Sequence, residues 1–252
     1  MYYIYTIFIL IIIDIIHENI LITTQRGDGE MLTKKGKLAV TMALALLGMV
    51  LVTKPAAAVA VDMELILMVD SSFSIDSAEF TLERQGYVDA FKNAAIYNAI
   101  QQGANGSIAV SLIYWAGGFP DVNHPNAVSQ VLAVDWMLIN SQSTSEAFAD
   151  AVMAATRPTS AEVGTLTAIG DAFLFSYPKF TNGFEGTRRV IDVSGDGVRN
   201  FGAQTNTSRD TALANGVTTV NGITIIDEFT FGSIRHFNWF CSAPGNFHHG
   251  AK

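Results

Sequence analysis

The sequence predicts an α/β domain with a mostly parallel central sheet and helices on both faces. Three observations carry that expectation. Apolar runs and amphipathic segments alternate from residue 61 onward, the pattern of a sheet covered by crossover helices. Two of the apolar runs, 65–69 and 189–193, feed into short polar stretches carrying Asp70 and Asp196, and in such folds ligands sit beyond the carboxyl ends of strands. About 190 residues remain once an N-terminal stretch of different composition is set aside, enough for one domain with a sizeable core.

The elements follow in order. L-I-L-M-V (65–69) is an apolar strand. Asp76 opens a helix with Glu79 three residues on, a capping box, and the helix runs to about Phe91 with Phe80, Tyr87, Val88 and Phe91 inward. S-I-A-V-S-L-I-Y-W (107–115) is a second strand, ended by Gly117, Gly118 and Pro120. Residues 131–139 make a third strand, 145–155 an amphipathic helix, and 167–177 a further helix. Residues 189–193 form a strand leading into S-G-D-G, 208–215 a helix closed by Gly216, and 217–226 the last clear strand, bent at Asn221-Gly222.

The first 60 residues belong to a different class. Lys34, Lys35 and Lys37 precede an apolar run from Leu38 to Val52, and A-x-A sites end at Ala58 and Ala60. The run is shorter than the roughly 20 residues that span a bilayer, so residues 31–60 read as a secretory signal peptide, with an uncleaved membrane anchor as the alternative. Residues 1–30, rich in Ile and Tyr at their start, read as upstream translation or an apolar leader, with true initiation expected at Met31. Residues 61–252 form the domain, which is exported to the periplasm or secreted. The chain carries a net charge of −8, and residues 61–252 hold 10 basic and 19 acidic side chains, a net −9. A surface so acidic disfavours nucleic acid. It is compatible with a divalent cation. The single cysteine, Cys241, excludes an internal disulfide.

Three loops carry the polar signal: D-S-S-F-S with Asp70, Ser72 and Ser74; G-T-L-T with Thr167, or Thr165 in its place; and S-G-D-G with Asp196. Two carboxylates and three hydroxyls, with no nitrogen or sulfur donor, select Mg²⁺, Ca²⁺ or Mn²⁺ over zinc or copper. Taken alone, Asp70–Ser74 is equally a helix cap. Asp192 and Asp171 read as structural acids, and Trp115 and Trp136 as core. His236, Cys241, His248 and His249 match no zinc spacing.

D-S-S-F-S matches the D-x-S-x-S signature of the von Willebrand factor A domain, with Thr167 and the D-G of Asp196-Gly197 following in the family's order. The chain resembles that superfamily over about residues 62–226. It is most similar to a family of uncharacterised exported bacterial proteins, through E-L-I-L-M-V-D-S-S-F-S-I-D, Y-W-A-G, L-T-A-I-G-D-A, R-R-V-I-D-V-S-G-D-G and G-I-T-I. The resemblance implies a Rossmann-like von Willebrand A fold and a metal-ion-dependent adhesion site. In it Ser72, Ser74 and Thr167 ligate through hydroxyls, and Asp70 and Asp196 ligate directly or through water. Mg²⁺ would be the cation, with Ca²⁺ or Mn²⁺ as substitutes, and an Asp or Glu of a protein partner would fill one open position. The departure from the family lies at the end: A-P-G-N-F near residue 245 looks like the start of a last segment, and the closing helix is absent, so the domain is expected to be truncated and its six tail aromatics short of cover. The leading function is therefore a non-catalytic protein-binding module without a small-molecule cofactor. The alternatives are a Mg²⁺-dependent hydrolase or phosphotransferase with Asp70 as nucleophile, and a structural domain with a vestigial site. The enzyme reading is weakened by Ser72, where a second Asp is usual in phosphotransferases, and by the lack of G-x-S-x-G or G-x-G-x-x-G.

Overall fold

The computed structural model describes residues 57–118 and 128–225. The basic and apolar parts of the leader, the Met31 start, the tail aromatics, Cys241 and the tail histidines lie outside the described residues. Among the described residues, no helix is long and apolar enough to cross a membrane.

The strands are β1 (Val59–Val61), β2 (Met63–Asp70), β3 (Ile108–Trp115), β4 (Gln130–Ile139), β5 (Phe184–Gly186), β6 (Arg189–Gly195) and β7 (Thr219–Thr224). The helices are α1 (Ser77–Lys92), α2 (Ala94–Ile100), α3 (Gln142–Ala154), α4 (Ser160–Val163), α5 (Ile169–Ser176) and α6 (Thr205–Ala214), with a 3₁₀ turn at Tyr177–Phe180 after α5. Five strands form one sheet in the order β4-β3-β2-β6-β7, all parallel except β4, which runs antiparallel to β3. This is the mixed α/β, Rossmann-like architecture expected from the sequence.

Strand β2 shows how one segment serves two layers. Side chains alternate across a strand. Leu65, Leu67 and Val69 join the core under α1 and α3, with Phe80, Val88, Phe91, Phe148 and Val152. Ile66 and Met68 join the core under α5 and α6, with Ile169, Phe173 and Ala212. A strand buried on both sides reads as a continuous apolar run, which is why it was visible in the sequence.

The α1 capping box forms as its residues require. The Asp76 carboxylate accepts from the backbone N–H groups of Ala78 and Glu79, and Glu79 returns a bond to the N–H of Asp76. Several boundaries differ from expectation. Helix α3 starts at Gln142 because Ser141 caps it in a box with Thr144. Helix α5 starts at Ile169, which leaves Thr167 in the preceding loop, and α6 starts at Thr205 instead of residue 208. Helix α2 was not foreseen; Asn93 ends α1 and at once caps α2 by accepting from the N–H of Ala95.

The amino ends of the sheet are fastened by Glu64, which is fully buried. One carboxylate oxygen accepts from Arg189 Nε at 3.2 Å and the Gly186 N–H at 2.9 Å, and the other from Asn182 Nδ2 at 2.8 Å. Bonds of this kind offset the cost of burying a charged carboxylate. The short β1–β5 pair lies at the same end, with the Val59 N–H donating to the Gly183 carbonyl at 2.9 Å.

Candidate functional site

The pairing of β2 with β6 aligns Val69 with Ser194, so Asp70 and the Gly195-Asp196 turn leave the sheet side by side. From β2 the chain runs to β3 on one side and later returns to β6 on the other, so their shared carboxyl edge is a topological switch point. Asp70 is the last residue of β2 and fully buried. Its Oδ1 accepts from the Ser72 N–H at 2.8 Å, while its Oδ2 is buried without a hydrogen-bond partner among the described residues. Burial pushes the Asp70 carboxyl up to about 8. The Ser72 bonds oppose this, and the nearby charges of Asp196 and Glu83 add to it.

The loops are linked by short bonds. Ser72 Oγ and Ser74 Oγ lie 3.1 Å apart, and Ser74 Oγ donates to Asp196 Oδ1 at 2.8 Å. The Phe73 N–H donates to the Thr165 carbonyl at 3.1 Å, joining the first loop to the second. The Thr167 N–H donates to Asn200 Oδ1 at 2.7 Å, and the Asn200 N–H returns to the Thr167 carbonyl at 3.1 Å, joining the second loop to the third. Thr167 is buried, and a Cβ placed on Gly197 would stand 3.9 Å from its Oγ1. Thr165 is exposed. The five oxygen-bearing residues therefore come from three loops held together at one strand edge.

Two glycines make that closeness possible. A Cβ on Gly195 would lie 2.8 Å from Asp70 Oδ2 and 3.3 Å from Trp115 Cζ2, so a side chain there would displace the carboxylate. Gly164 has a φ of +84°, and a Cβ on it would run into the Gly117 backbone. That contact accompanies the bridge between Gly117 and Leu166, which seats the Thr167 loop against the Y-W-A-G turn.

Arg157 was missed in the sequence. Its guanidinium donates to the carbonyls of Ser71, Ser72 and Ile75 at 3.3, 3.0 and 2.7 Å, and to that of Asp76 at 3.3 Å. It also stacks 4.9 Å above the Phe80 ring. Asn200 was missed as well. The acids read as structural behave so: Asp171 accepts from the Ala203 N–H at 2.8 Å, and Asp192 from Asn221 Nδ2 at 2.6 Å. Trp115 is fully buried, and Trp136 packs on Phe180 with its Nε1 donating to the Lys179 carbonyl.

Among the described residues, no group of three or more His, Cys, Asp or Glu is placed to hold a metal. A cation here would rest on hydroxyls as much as on carboxylates. The donor set is hard oxygen throughout, and Asp70 offers an orphaned buried oxygen, so the residues fit a divalent cation of the Mg²⁺ or Ca²⁺ kind.

Such a carboxyl-edge cluster defines an α/β domain with its polar loops gathered at a switch point. The chain belongs to the family DUF1194, described as a protein of unknown function, which matches residues 60–243. Comparison with curated proteins gives no match. Among solved structures it is similar to proximal thread matrix protein 1 from the mussel byssus, at 16% identity and a TM-score of 0.45 over 73% of this chain and 42% of that one. A second structure of that protein has a zinc-occupied MIDAS motif; there the identity is 18% and the TM-score 0.41, over 68% of this chain and 39% of that one. It is also similar to the pilus adhesin SpaC from Lactobacillus rhamnosus GG, at 14% identity and a TM-score of 0.49, over 73% of this chain and 28% of that one. The chain thus spans less than half the length of each.

Proposed function

We propose that this protein is an exported, non-catalytic module that binds a protein partner through a divalent cation. Asp70, Ser72, Ser74, Thr167 and Asp196 would hold the cation. The observation that carries this reading is the unpartnered, buried Oδ2 of Asp70 at the meeting point of three oxygen-bearing loops. A bound divalent cation would be balanced in formal charge by Asp70 and Asp196, and with neutral hydroxyls as its other protein ligands it would remain able to take a carboxylate from outside at an open position. Mg²⁺ is the cation of first choice, and Ca²⁺ and Mn²⁺ suit the same donors. A hydrolytic or phosphotransfer role for Asp70 has less support, because Arg157 is committed to backbone carbonyls and does not face a transferring group. Isothermal calorimetry with Mg²⁺, Ca²⁺, Mn²⁺ and Zn²⁺ tests the site. The native chain should bind Mg²⁺, and Asp70→Ala and Asp196→Ala should lose binding while keeping a cooperative melt. Unchanged affinity in Asp70→Ala would remove the site.

Export follows from the same reading of the leader, and the fold favours one of the two cleavage sites. Cleavage after Ala58 leaves β1 whole, whereas cleavage after Ala60 removes two of its three residues and the Val59 bond to Gly183. The mature protein is expected to start at Val59. N-terminal sequencing of protein recovered from the cell envelope checks this, and a chain retaining residues 38–52 would contradict it.

A further inference from the structure

We infer that the surface around the oxygen cluster receives an isolated acidic side chain flanked by bulky apolar residues, and does not receive an acid-rich segment. The inference rests on the proposed cation site and names the chemistry of its partner.

Each of the three loops presents one large apolar side chain to solvent. Phe73 is 78% exposed, Leu166 38% and Val198 53%, and Phe73 is the most exposed large hydrophobic residue among those described. Phe73 stands between Ser72 and Ser74, Leu166 precedes Thr167, and Val198 is two residues beyond Asp196. The bonds that join the loops, Phe73 to Thr165, Ser74 to Asp196, and Thr167 to Asn200, bring together the three segments that carry these side chains. Single exposed hydrophobics need no explanation, but one on each loop that carries the oxygens sets apolar area beside the proposed cation, and apolar side chains of a partner would take that area out of water. The loop does not need Phe73 for its own packing, since Ile75 is the residue it buries.

Charge decides what this surface accepts. Residues 61–252 carry 10 basic and 19 acidic side chains, a net −9, so the domain's overall field opposes a partner dense in carboxylates. Of the guanidiniums beside the loops, Arg157 gives its donors to carbonyls of the first loop, and Arg199 gives one N–H to the Gly202 carbonyl at 2.9 Å. A partner therefore supplies one carboxylate to the cation and apolar side chains to Phe73, Leu166 and Val198.

The test is selection of random peptides displayed on phage against the full chain loaded with Mg²⁺, eluted with a chelator. Enriched peptides should carry one Asp or Glu with an aromatic or branched aliphatic residue within two positions. At saturating Mg²⁺, Phe73→Ala should weaken the best synthetic peptide about tenfold. Acid-rich winners, acidic winners without an apolar neighbour, or unchanged peptide affinity in Phe73→Ala would overturn the inference and leave the cation site standing. Binding of phosphatidylcholine vesicles, or self-association, that Phe73→Ala abolishes would reassign the three side chains to a lipid surface or to a second copy. Absence of any chelator-eluted peptide, together with no Mg²⁺ binding by calorimetry, would overturn the cation site itself.

Discussion

Arg157 closes the first loop from behind, and its fork of donors explains why Asp70, Ser72 and Ser74 hold one arrangement. A guanidinium spread over several carbonyls and stacked on a ring cannot be replaced by the point charge of a lysine. Arg157→Met is expected to weaken Mg²⁺ binding about tenfold, because a ligand set left without its supporting bonds loses geometry. Calorimetry at one pH, beside thermal melts, checks it; a lower melting temperature with unchanged Mg²⁺ affinity would make the residue merely structural. The contrast with Asp70 and the serines shows what a sequence can disclose. Their side chains carry the oxygen donors, so type and spacing mark them. Arg157 and Asn200 act on backbone atoms of residues far away in sequence, and no pattern around R-P-T or V-R-N records such a partner.

Elements were legible where one segment contains its own signal. Strands β2 and β6 are apolar runs ended by polar residues, β3 is one ended by glycines, and the box of Asp76 and Glu79 names the start of α1. Where the signal lies in a partner, the sequence was silent. The antiparallel setting of β4 depends on its pairing with β3 and not on its own periodicity. Strands β1 and β5 are three residues each and exist through each other. The α5 helix was expected to include Thr167, but the residue stays outside it: its carbonyl accepts from Asn200 and its N–H donates to the Asn200 side chain, an arrangement that only the third loop supplies. A Cβ on Gly170 would strike the Ala203 carbonyl, so the same helix needs a glycine in its first turn to approach that loop.

For the whole molecule, the buried acids set how stability varies with pH. Neither carboxylate oxygen of Glu83, on α1, has a partner among the described residues, and burial pushes the carboxyl from 4.5 up to about 7. The Ser194 hydroxyl, which donates to the Met68 carbonyl at 3.2 Å, offsets this only weakly. Because the folded state holds the proton more tightly than the unfolded state, the contribution is favourable below about 4.5 and is lost as pH rises through 7. Glu83→Gln, which keeps the shape of the protonated acid, should raise stability at pH 8 by at most about 3 kcal/mol and by little at pH 4. Urea melts at the two pH values check it, and an equal gain at both would refute the burial argument. Asp70 has the same sign over a wider window, and because the Glu83 charge adds to its shift, the substitution relieves Asp70 in the same direction at pH 8. The clamp at Glu64 has a further consequence at this scale. Asp70 lies six positions further along the same strand, about 20 Å of backbone, twice the distance beyond which substitutions usually act independently. The fastening that keeps the sheet together and the surface proposed to meet a partner are thus separately editable, so Phe73, Leu166 and Val198 can be rewritten while the scaffold beneath stays as it is.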